Sequence, residues 1–158
     1  MRQSDSIQSD PVLVHGTCIA FGDGAAAILQ GTSGVGKSDL ALRCIMQPAY
    51  FDGQTHAVSL VADDQVLLER RASSLWARPP VAIAGKLELR GLGVIDVPHA
   101  SEARLRLVVR LVAADAIERL PDPEETDILG LTLPVLRVAP LEASAPLKVL
   151  LALRQASR

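Results

Sequence analysis

The sequence predicts an α/β domain built on a mixed β-sheet. Three observations point there. Strand-like apolar segments outnumber helical ones, a glycine-rich loop joins an apolar strand candidate to an amphipathic helix, and 158 residues with 49% hydrophobic content suit one core-bearing domain. Strands and helices do not alternate regularly, so a simple succession of βαβ units is not expected.

The elements follow in order. Residues 1–11 are polar and read as a flexible tail, leaving 12–158 for the domain. Residues 12–21 are rich in β-branched and apolar side chains, and Gly22-Asp23-Gly24 is a turn signal after them. Residues 25–30 form a short apolar run, so these two segments predict a hairpin. Over 38–46, Leu40, Ala41, Ile45 and Met46 fall near helical spacing, Asp39 suits a first helical turn, and Pro48 marks the stop. Further strands are expected at 58–62, 66–68, 86–97, 105–112 and 131–138, and a closing helix at 145–154. Arg78-Pro79-Pro80 and Pro121-Asp122-Pro123-Glu124-Glu125 combine proline with charge and should interrupt regular structure.

Composition excludes several function classes. Aromatic residues make up 3% of the chain, too few for a base-stacking platform. The net charge of −2 gives no global attraction to nucleic acid or anionic membranes, and neither is expected as a partner. No segment resembles a secretory signal, and no apolar run approaches the ~18 residues of a membrane span, so a cytoplasmic protein is expected. Cys18 and Cys44 lack metal-type spacing and read as buried small hydrophobes.

The chemistry centres on residues 31–38. Gly31, Thr32, Ser33, Gly34, Val35, Gly36, Lys37 and Ser38 match G-x-x-x-x-G-K-[ST] completely, between a strand candidate and a helix. Glycines at 31, 34 and 36 let the backbone turn tightly and present N–H groups to phosphate oxygens. The following helix N-terminus favours anions, Lys37 can reach the β- and γ-phosphates, and the Ser38 hydroxyl can ligate Mg²⁺. ATP and Mg²⁺ are the cofactors implied.

Asp63-Asp64 ends an apolar strand. One carboxylate can hold Mg²⁺ and the other can serve as general base toward a hydroxyl acceptor, or both can simply cap a polar strand end. His15 can point toward the phosphate site or be a structural histidine. Glu88 and Arg90 flank Leu89 on one strand face, as part of a site or as an exposed pair. His56 and His99 receive no role. Trp76 reads as a packing residue, with Arg70, Arg71 and Arg78 around it as a small basic patch or a solvated face.

The order of these motifs resembles one family. His15-Gly16, the loop 31–38, Val61-Ala62-Asp63-Asp64 and Leu87-Glu88-Leu89-Arg90-Gly91-Leu92-Gly93-Val94-Ile95-Asp96 together look like the bacterial HPr kinase/phosphorylase, over roughly residues 12–137. The resemblance implies a P-loop fold similar to that of phosphoenolpyruvate carboxykinase, and phosphate transfer from ATP to a serine of HPr, the phosphotransferase-system phosphocarrier. It also implies, for many members, removal of that phosphate by inorganic phosphate. Carried over, Lys37 and Ser38 bind phosphates and Mg²⁺, Asp64 is the base with Asp63 supporting it, His15 lies in the same site, and Glu88 helps hold the metal. A homo-oligomer, hexameric in the family, is implied as well. The short stretch before His15, Asp39 after the loop serine and the long 47–59 segment fit the short proteobacterial forms, which carry the catalytic domain alone. Two other readings are a small-molecule P-loop kinase, for which no arginine-bearing lid is evident, and a non-catalytic nucleotide-binding regulator, which would not need both aspartates.

Overall fold

The computed structural model describes residues 8–21, 24–47 and 49–158. The turn residues Gly22 and Asp23, the helix stop Pro48 and tail residues 1–7 lie outside the described residues.

The elements run β1 (Val12–His15), β2 (Thr17–Phe21), β3 (Ala25–Gln30), α1 (Lys37–Met46), β4 (Ala49–Phe51), β5 (Gln54–His56), β6 (Val58–Ala62), β7 (Gln65–Arg71), β8 (Ser74–Arg78), β9 (Lys86–Leu89), β10 (Gly93–Asp96), β11 (Ala103–Leu111), β12 (Glu124–Ile128), β13 (Leu131–Val138) and α2 (Ala145–Ala156). Among the described residues the main sheet has nine strands, ordered β1-β7-β8-β11-β3-β2-β6, with β13 joining β11 to β12. β11 is its axis: it runs parallel to β3 and β13 and antiparallel to β8, which makes the sheet mixed.

The apolar stretch 12–21 is two strands rather than one. Gly16 donates its N–H to Asp64 O at 3.0 Å, and a Cβ there would come within 3.0 Å of Ile28 Cγ1 and Leu29 O. At this corner β1 pairs with β7 while β2 pairs with β3 and β6. The neighbouring strand breaks opposite it, where Asp63 and Asp64 separate β6 from β7. Two adjacent segments therefore change direction together, curling the sheet and concentrating His15, Thr17 and both aspartates at one bend.

Several expectations change. The extended 66–68 stretch is part of β7, and 86–97 folds into a β9–β10 hairpin at Gly91 and Gly93, both at positive φ. The 121–125 stretch interrupts structure only at its start, because Glu124 and Glu125 begin β12. Glu124 accepts from Arg110 at 2.6 Å and Arg137 at 2.8 Å, so opposite charge on neighbouring strands offsets the acid.

Both faces of the central strands are buried, which explains their unbroken apolar runs. Ile19, Ala27, Leu29, Leu107 and Val109 face the helices and pack with Leu40, Ala41, Cys44, Val149, Leu150 and Leu153. Cys18, Ala20, Ala26, Ile28, Leu105 and Val108 fill the inside of the curl with Val61, Val66, Leu68 and Leu75. Each such fully buried leucine or isoleucine contributes roughly 1.5–3 kcal/mol. Cys18 and Cys44 are free and buried. No helix among the described residues is long and apolar enough to cross a membrane.

Candidate active site

β3 delivers the chain into the glycine-rich loop, and α1 leaves it. Gly34 (φ 80°) and Gly36 (φ 111°) adopt left-handed conformations that favour glycine. Gly31 has no room for a side chain, since a Cβ would meet Val35 Cγ1 at 2.7 Å. Lys37 opens α1, is buried, and folds back so that Nζ donates to Gly31 O at 2.9 Å and Thr32 O at 3.0 Å. Val35 N donates to Thr32 O at 3.2 Å, closing the loop around that ammonium. A glycine-rich loop, a helix start and an ammonium lie together beside the cavity, features that favour an anion.

Across the cleft stands the aspartate pair. Asp63 is 7% exposed, and its Oδ1 accepts from Ser38 Oγ at 2.8 Å and Thr17 Oγ1 at 2.9 Å. Its Oδ2 accepts the Glu88 backbone N–H at 3.1 Å. All three partners are donors, the complement of a carboxylate. Asp64 has φ 65° and turns outward, with its Oδ1 3.2 Å from His15 Nδ1. Aspartate tolerates that region better than most non-glycine residues, and the turn it makes separates β6 from β7.

Together these residues line an open cleft of about 680 Å³. His15, Ser33, Gly34, Gly36, Lys37, Ser38, Asp63, Asp64 and Glu88 all reach it, while Gly31, Thr32 and Val35 shape the loop behind. Thr17, Leu42, Leu89 and Leu92 also line it. Thr17, which opens β2 just past Gly16, is a member of the site that no sequence motif marks. Arg90 reaches the cleft too, and its Nη2 lies 3.7 Å from the position a Gly34 Cβ would take. The Ser38 hydroxyl and the Asp63 and Glu88 carboxylates are oxygen donors. They suit a hard cation that keeps waters and phosphates as its other ligands, as Mg²⁺ does. Among the described residues no group of three or more His, Cys, Asp or Glu is placed to hold a metal ion, so any cation here would rely on the Ser38 hydroxyl and non-protein ligands as well.

The arginines near Trp76 form no basic patch. Arg71 and Arg78 pair with buried Glu69 at 3.0 and 2.6 Å, and Arg71 also pairs with Glu102 and lies 5.2 Å over the Trp76 ring. Hydrogen bonds from Gln8, Arg71 and Arg78 hold the Glu69 carboxyl down to about 2, against the opposing effect of burial. Arg70 instead donates to Ala72 O and Leu129 O. His56 packs against Phe21 and Phe51.

The family model of the HPr Serine kinase C-terminal domain matches residues 8–153. The HPr kinase/phosphorylase of Bordetella pertussis is 38% identical over 120 residues, covering 68% of this chain and 36% of its own length. That of Acidovorax sp. is 34% identical over 145 residues, covering 82% of this chain and 41% of its own. The chain therefore spans well under half the length of these curated relatives. The solved structure of the Hpr(Ser) kinase/phosphatase from Coxiella burnetii shares the fold with a TM-score of 0.74 at 22% identity, over 92% of this chain and 96% of that one. With its match running almost from end to end, the chain belongs to the HPr Serine kinase C-terminal domain family.

Proposed function

We propose that this chain transfers the γ-phosphoryl group of Mg-ATP to a serine hydroxyl of HPr or a related phosphocarrier, in the cytoplasm, as part of phosphotransferase-system regulation. The observation that carries this reading is the convergence in one cleft of the phosphate loop, the Ser38–Asp63 hydrogen bond and the His15–Asp64 pair.

The loop N–H groups and Lys37 bind the nucleotide phosphates, and Lys37 exchanges its loop carbonyls for phosphate oxygens. Magnesium, when bound, neutralises charge on the β- and γ-oxygens. Ser38 and Glu88 would hold it, with Asp63 behind Ser38. Asp64 faces the open side, where an acceptor serine can enter. It takes the serine proton as the serine oxygen bonds to the γ-phosphorus and the bond to the β-phosphate oxygen breaks, releasing ADP. His15 fixes the Asp64 carboxylate in the orientation that accepts this proton. In the reverse direction, with inorganic phosphate as attacking group, protonated Asp64 returns the proton to the leaving serine oxygen and pyrophosphate is released.

The test is to mix the protein with Mg-ATP and purified HPr, then look for phosphoserine by mass spectrometry. Modification of one serine is expected. No modification of HPr or of its nitrogen-branch relative would sink the proposal, and nucleotide binding without transfer would favour the regulator reading.

A further inference from the structure

Asp63 is gripped from three elements at once. Ser38 donates from the first turn of α1, the Glu88 N–H from β9, and Thr17 from β2. Thr17 is fully buried, and its hydroxyl shares Oδ1 with Ser38. The chain before it admits no slack, because Gly16 sits where even a Cβ would crowd Ile28 and Leu29. One stretch of backbone thus holds both aspartates: His15 takes Asp64 and, two residues on, Thr17 takes Asp63.

A serine hydroxyl has one proton and two lone pairs. When the proton goes to Asp63, the lone pairs turn the other way, into the cleft. The terminal torsion of an aspartate is soft, and with only Ser38 on Oδ1 and the Glu88 N–H on Oδ2 the position of Oδ1 would depend on the Ser38 bond it is meant to orient. A second donor on the same oxygen fixes Oδ1 independently of Ser38. Groups that orient a metal ligand in this way influence affinity without touching the metal, typically by 10–100-fold.

We infer that Thr17 is a positioning residue for the cation site: by fixing Asp63 it aims the Ser38 lone pairs at the Mg²⁺ of the bound nucleotide. This rests on the Mg-ATP reading above. Packing alone would make a different prediction, since valine has almost the shape of threonine and lacks only the donor.

The experiment measures binding of a fluorescent, non-hydrolysable ATP analogue while Mg²⁺ is titrated. For Thr17→Val, the Mg²⁺ concentration at half-saturation rises about 10-fold or more, while Thr17→Ser stays within about 3-fold of wild type. Analogue binding without Mg²⁺ is the same in all three. In a Ser38→Ala background, Thr17→Val adds little, because the hydroxyl it aims is gone. An unmoved midpoint for Thr17→Val, equal shifts for the Val and Ser variants, or a full shift in the Ser38→Ala background would each overturn the inference. Should Thr17→Val not fold, Thr17→Ala against Thr17→Ser carries the same comparison, and equal midpoints overturn it. If wild type shows no Mg-dependent analogue binding, the proposed function itself fails. If wild type binds and the Thr17 variants do not differ, only the role of Thr17 fails.

Discussion

Asp63 and Asp64 are consecutive in the chain, yet their carboxylates have opposite surroundings. Asp63 is 7% exposed and accepts three hydrogen bonds, whereas the Asp64 side chain is 68% exposed and faces His15. The left-handed φ at Asp64 produces the split, by turning the chain out of β6 before β7 begins. A buried carboxylate hydrogen-bonded behind Ser38 and an exposed one paired with His15 suit two different tasks.

This division separates two variants. Asp64→Asn should leave Mg-nucleotide binding and Tm close to wild type while slowing phosphoserine formation by about 10²–10⁴-fold. Asp63→Asn should instead weaken Mg-nucleotide binding and cost about 1–3 kcal/mol of stability, because its amide NH₂ confronts donors on one side. Binding titrations, transfer rates and melting curves on the two variants check this. Normal transfer by Asp64→Asn would remove Asp64 as the base.

Much of the site was legible because motif residues carry their own geometry: the spacing from Gly31 to Ser38 forces a loop between β3 and α1, and Asp63-Asp64 ends a buried run. Strand pairing was harder to read. Nothing local in residues 12–21 announces that Gly16 divides two strands with different partners, since the reason lies in Asp64, Ile28 and Leu29. Some signals were present but weak. Asp52-Gly53 is a favoured two-residue hairpin turn, and it does join β4 to β5 with both residues at positive φ. Thr17 was invisible because a threonine in an apolar strand gives no hint of the carboxylate 46 residues away.

Arg90 sits near the tip of the β9–β10 hairpin, whose base is tied to the site through the Glu88 N–H. It leans over Gly34 and makes no side-chain hydrogen bond or ion pair among the described residues. A guanidinium in that position can stabilise charge developing on the transferred group. Arg90→Ala is expected to reduce turnover by about 10²–10³-fold, with nucleotide affinity and Tm nearly unchanged, and Arg90→Lys to recover only part of the loss. A normal turnover for Arg90→Ala would leave it a surface residue.

Burial pushes the Cys44 thiol up to about 12, partly offset by nearby Arg43, and raises the fully buried Cys18 further. Thiolate is the reactive form, so both side chains should be inert in the folded protein. With a colorimetric disulfide reagent at pH 8, native protein should show no reacting thiol, and denatured protein two. Rapid labelling of either cysteine without loss of Tm would contradict the packing of α1 and β2 described above.

Glu69 makes the most specific pH prediction. Its carboxyl is held at about 2 by Gln8, Arg71 and Arg78, against an ordinary value near 4.3. A lowered carboxyl pKa means the unfolded chain binds the proton more readily, so the contribution is complete above about pH 4.5 and disappears as pH falls toward 2. Glu69→Gln should therefore melt well below wild type at pH 7, because Arg71 and Arg78 lose their shared acceptor. The gap should narrow through that acid window and close at its lower end. Gln8→Ala should melt between the two at pH 7, since its bond to Glu69 Oε1 at 2.6 Å is one of four that the carboxylate accepts. A gap that stays constant from pH 7 to pH 2 would show that Glu69 acts through its shape and not through its charge.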